Sequence, residues 1–153
     1  MPLFRRRPEA TEPPAFTVGV DGHRVVVGGR ESGCVLLAEL DEYLEAVGRY
    51  GRVLDNGRDS IAMQNAKMDY VEMADAAVMI VTLALEELAE QRVLNAADIP
   101  EKPVLGAMDR DVPVYEYIQA MYARATQRVA WMREVDAVLR NYGIAIVKPV
   151  AES

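Results

Sequence analysis

Few side chains in this chain could do chemistry, and their spacing gives most of them a simpler role. His23 is the only histidine. A general base needs a proton partner and a pocket, and His23 stands beside Asp21-Gly22, where it reads as a strand residue next to a turn. Cys34 is the only cysteine. An internal disulfide is therefore impossible and a cysteine-based zinc site is not expected, which fits a reducing, cytoplasmic setting. No G-x-S-x-G turn accompanies the single histidine to suggest a nucleophilic triad.

The carboxylates Asp69, Glu72 and Asp75 recur at helical spacing, as do Glu86, Glu87 and Glu90. A di-iron bundle would add Glu-x-x-His partners on facing helices, and neither long helix contains a histidine. An all-carboxylate Mg²⁺ or Mn²⁺ site is the remaining metal chemistry; a solvated helix face accounts for the pattern more simply. Gly28-Gly29 follows a strand, but the phosphate-binding spacings are missing. The expectation is a chain with no catalytic residue, no cofactor and no metal.

Two groups suit contact with a macromolecule. Arg5, Arg6 and Arg7 form a basic cluster that could touch nucleic acid, anionic lipid or an acidic protein surface. Three charges add little affinity at physiological salt, and a formal net charge of −7 argues against a dedicated polyanion binder. Tyr117, Met121, Arg124, Arg128 and Trp131 share one face of a helix. Aromatic residues, Met and Arg are enriched at protein interfaces, and the same stripe could pack on its own bundle with Arg stems over Trp131.

These groups need elements to hold them. Residues 1–15 read as an extended Pro/Arg-rich arm with little that could build a core. No apolar segment follows the arginines, so no signal peptide is expected. Residues 16–153 read as one domain. Phe16 to Val27 is a hairpin signal in which a type I′ turn at Asp21-Gly22 pairs Val20 with His23, Val18 with Val25 and Phe16 with Val27. Ser32 can cap a helix over about 33–49, with Leu36, Leu37, Leu40, Leu44 and Val47 inward.

A helix over 60–97 follows, capped by Asp59 or Ser60 and stopped at Ile99-Pro100. Its middle, Ala74 to Leu85, is apolar almost all round. At about 1.5 Å per residue it would be roughly 55 Å long, more than the roughly 40 Å width of a domain this size. The apolar part is shorter than the roughly 20 residues of a membrane span, so a soluble chain is expected. A last helix over 113–142 carries Tyr115, Ile118, Tyr122, Ala125, Val129, Met132 and Leu139 inward, with Asp136 interrupting the pattern. Gly143 ends it, and 144–147 reads as a strand that joins the hairpin.

The fold expected is α+β, mainly α: a hairpin and a C-terminal strand on a three-helix bundle with one very long central helix. The function expected is non-enzymatic, a structural or assembly subunit of a larger complex, with a tailed-phage virion protein of a GC-rich host as its narrower form. The partners are then protein, as a homo-oligomer or a multi-protein particle in the cytoplasm or a virion. The alternatives are a small-ligand-binding protein or enzyme with a pocket near Tyr115, Tyr122 or Arg124, and a small phage-encoded inhibitor of a host protein.

Overall fold

The computed structural model describes residues 15–18, 23–27, 32–50 and 59–147. The Arg5–Arg7 arm, the Asp21-Gly22 turn, Gly28-Gly29 and the Asn56-Gly57 turn lie outside them. In chain order the elements are β1 (Ala15–Val18), β2 (His23–Val27), β3 (Gly33–Cys34), α1 (Leu36–Tyr50), α2 (Ile61–Glu90), a 3-10 turn (Ala96–Asp98), α3 (Val114–Tyr142) and β4 (Ile144–Val147). The fold is α+β and mainly α, as the periodicities indicate.

The strands form one sheet in the order β1-β2-β4-β3. β1 and β2 are antiparallel, β2 and β4 are antiparallel, and β3 lies parallel to β4. The C-terminal strand thus joins the hairpin as expected. The hairpin register differs from the tight-turn expectation. Val18 pairs with His23 and Phe16 with Val25, which places four residues between the strands instead of two. A shift of two keeps the pairing parity.

α1 begins later than its sequence suggests, because Gly33 and Cys34 are used as a strand. Gly33 has φ +130°, far from helical backbone, so Ser32 cannot act as the helix cap. A side chain at Gly33 would collide with the Asp136 carboxylate. Asp136 accepts the Cys34 N–H at 2.5 Å and a bond from Arg140 Nε at 2.9 Å. The interrupted position in the α3 stripe is therefore the acceptor that binds β3 to the bundle. Leu36, Leu37, Leu40 and Val47 are buried, whereas Leu44, expected inward, is exposed.

α2 is capped by Ser60, whose Oγ accepts the Met63 N–H at 3.1 Å. It ends at Glu90 rather than near 97. Arg92 takes a left-handed conformation, φ 61°. Its N–H bonds Ala89 O at 3.1 Å and the Val93 N–H bonds Leu88 O at 2.9 Å, the two bonds of a Schellman stop. The turn back buries Leu94 in the core, which a continuing helix would forgo. At 30 residues α2 is about 45 Å long, and the 29 residues of α3 make about 44 Å. The two helices are nearly equal in length and pack together, so α2 is accompanied by α3 rather than standing alone.

α3 starts after Pro113 and stops at Gly143, whose φ of 71° turns the chain straight into β4. Ile144 and Ile146 alternate into the interior, where they belong to the same core as Leu88, Met132, Val135 and Leu139. No helix among the described residues is long and apolar enough to cross a membrane.

Candidate functional site

Val71, Asp75, Val78, Met79 and Thr82 recur every three or four residues on α2, so they share a face. Tyr117, Met121, Arg124 and Arg128 do the same on α3. The connector from Pro100 to Asp111 lies beside both. Between these three segments are two adjoining clefts of about 580 and 460 Å³, both lined by Asp75, Arg124 and Arg128. The first lies between Val78, Met79 and Leu83 on α2 and Lys102, Pro103 and Leu105 on the connector. The second runs past Tyr117, Met121, Met108 and Arg110. Together they form one groove.

Arg128 Nη1 meets Asp75 Oδ1 at 2.8 Å across the middle of the groove. Both side chains are partly solvated, so the pair contributes about 0.2–1 kcal/mol and mainly sets position. Asp75 is exposed and paired, and α2 runs through it unbroken. Arg124 Nη1 donates to Gly106 O at 2.6 Å, which holds the connector against α3. Trp131 is 4 % exposed and lies beneath the connector. Its Nε1 donates to Pro100 O at 2.8 Å, and the Lys102 ammonium sits 5.5 Å from the ring centre, within cation–π range. Among the described residues the Thr82 Oγ1, buried at the groove wall, has no hydrogen-bond partner.

The stripe read from the sequence is thus brought together, and the connector divides it. Tyr117, Met121, Arg124 and Arg128 face the groove, while Trp131 is enclosed behind Pro100. Arg5, Arg6 and Arg7 lie outside the described residues. Asp69 and Glu72 are exposed on α2. Among the described residues no three His, Cys, Asp or Glu side chains gather as a metal ion would need.

The spacing argument missed a second polar constellation. Lys67 and Asp59 are 3 % and 4 % exposed and form an ion pair. Lys67 Nζ also donates to Gln119 Oε1 at 2.9 Å, and Gln119 Nε2 donates to Asp59 Oδ2 at 2.9 Å, which closes a triangle. The ammonium lies 5.1 Å from the Tyr122 ring centre, and Tyr122 packs against Tyr70 at 5.5 Å. Burial pushes both tyrosine hydroxyls above their ordinary pKa. The signal was present: Lys67 falls on the apolar stripe of Met63, Tyr70, Val71 and Ala74. None of the clefts above reaches it, and it joins the start of α2 to α3.

Compared with protein-family models, curated proteins and solved structures, the chain matches none.

Proposed function

We propose that the chain is a non-enzymatic assembly subunit that works through protein–protein contact at the groove between α2, α3 and the connector. Met79 carries this reading. It stands in the middle of the apolar segment of α2, on the lip of the groove, and is 60 % exposed. Val104 on the connector is almost wholly exposed, and beyond the groove Thr82, Leu85, Ala89, Ile99 and Pro100 line an apolar shelf. Contiguous apolar surface with a polar rim is the usual mark of a docking face. Met, Tyr and Arg are the residue types enriched there.

The length of α2 lends no support, because α3 equals it. The narrower setting of a tailed-phage virion rests on the sequence features alone. Light scattering of the purified chain over a range of concentrations tests the proposal. A mass that rises above the monomer with concentration is expected. A monomer throughout that range would contradict it.

A further inference from the structure

We propose that the groove between α2, α3 and the connector binds a nucleoside polyphosphate. This goes beyond the assembly reading and holds whether or not copies associate. A neighbouring subunit needs the exposed apolar lip at Met79 and Val104, whereas the ligand needs the charge along the groove.

The course of the chain places that charge. Lys67 meets Gln119, Tyr70 meets Tyr122 and Asp75 meets Arg128. The partners advance together, so α2 and α3 run parallel and the connector must return along both. It meets Trp131 at Pro100 and Arg124 at Gly106, and its Arg110 shares a cleft with Tyr117. Lys102 therefore stands at the Trp131 end and Arg110 at the Tyr117 end, about 21 Å apart as measured along α3. Arg124 and Arg128, one helical turn apart, stand between them and line both clefts.

Four cations thus follow one another against the single carboxylate of Asp75 in the groove lining. The chain as a whole carries −7, so its charge is reversed here, and a cleft lined by one sign focuses its field on an oppositely charged ligand. Among the described residues, only Arg128 of the four has an ion-pair partner. Arg128 uses Nη1 on Asp75 and Arg124 uses Nη1 on Gly106 O. A guanidinium has five N–H donors. Both arginines are therefore held in place with donors left over, and a phosphate is the group that such a fork grips.

The second cleft adds the Tyr117 ring and the thioethers of Met108 and Met121. An aromatic ring is a stacking platform for a base, and methionine adapts to the ring that is stacked. The base occupies this cleft, and the phosphates lie on Arg124 and Arg128 and extend towards Lys102. The clefts measure about 580 and 460 Å³, within the range of small-molecule sites.

Equilibrium dialysis of the full chain against ATP, tripolyphosphate or adenosine tests this. ATP should be retained, and less so as salt rises from about 0.05 to about 0.5 M. Tripolyphosphate and adenosine should each bind at least about tenfold more weakly. Lys102→Gln/Arg110→Gln changes two exposed side chains and should weaken ATP about fivefold to tenfold. Tyr117→Leu should weaken ATP about tenfold and leave tripolyphosphate unchanged. Arg49→Gln, on α1 and outside both clefts, should bind ATP as the wild type does.

A chain that retains no ATP would overturn the proposal and leave the assembly reading standing. Tripolyphosphate bound as tightly as ATP would overturn it in favour of a bare anion track. Equal weakening by Arg49→Gln and by the double variant would overturn it in favour of diffuse attraction. A chain that binds ATP as expected and stays monomeric in light scattering would uphold it while contradicting the assembly reading.

Discussion

Lys67 and Asp59 form a buried ion pair that ties the start of α2 to Gln119 on α3. Both charges have left water, and each depends on the other and on Gln119 for its hydrogen bonds. Such a pair adds little net stability over an apolar replacement, yet breaking it strands a charge. Lys67→Met should therefore cost about 3–5 kcal/mol in denaturant unfolding. The double change Lys67→Met/Asp59→Leu should recover much of that loss. A single change costing under about 1 kcal/mol would show that water reaches the site.

Arg92 ends α2 in a backbone conformation that glycine adopts without strain. Its two Schellman bonds are made by the backbone, so they survive substitution. Arg92→Gly should raise stability by about 0.5–1 kcal/mol, read as a higher Tm. Arg92→Val should lower it, since a β-branched residue tolerates positive φ poorly.

The Thr82 hydroxyl is buried at the groove wall without a partner among the described residues. Thr82→Val keeps the shape and removes an unpaid desolvation cost. The isolated chain should gain on the order of 1 kcal/mol in denaturant unfolding. A loss would mean that the hydroxyl is hydrogen-bonded in solution.

Cys34 is buried in β3 between β4 and α3, and burial pushes its thiol up to about 12 from 9.0. The folded chain then holds the proton after the unfolded chain has lost it. Stability should be unaffected by this group below pH 9 and fall as pH rises from about 9 towards 12, by up to about 4 kcal/mol. Tyr70 and Tyr122, also raised by burial, act in the same direction. Cys34→Ala should flatten part of that slope. A thiol reagent at neutral pH should label Cys34 only after denaturant is added.

The legible parts of this fold are the ones with local punctuation. Pro113 and Gly143 bracket α3, and Ile144 to Val147 alternates as a half-buried strand does, so both elements lie where the sequence indicates. The end of α2 carries no such mark, because Arg92 fills a position usually held by Gly, and the stop is decided by burying Leu94. β3 is two residues long and exists only through its pairing with β4, a non-local relation that no periodicity reports. The hairpin register depended on a turn length that Asp21-Gly22 alone could not determine.

The site divides the same way. Helical spacing alone puts Tyr117, Met121, Arg124 and Arg128 on one face. The connector that covers Trp131 has no period, and its position depends on bonds to Pro100 O and Gly106 O. Lys67 was legible as a lone lysine on an apolar stripe.

The central claim is that assembly covers the groove between α2, α3 and the connector. Oxidative footprinting of Met79 tests it most directly, because its thioether is exposed in the single chain and oxidises readily. Met63, buried beside Val47 and Ala66, serves as the internal control. The account predicts that Met79 oxidises quickly in dilute protein and is protected in the assembled form, with Met63 slow in both. Equal oxidation of Met79 in the single and assembled chain would contradict it.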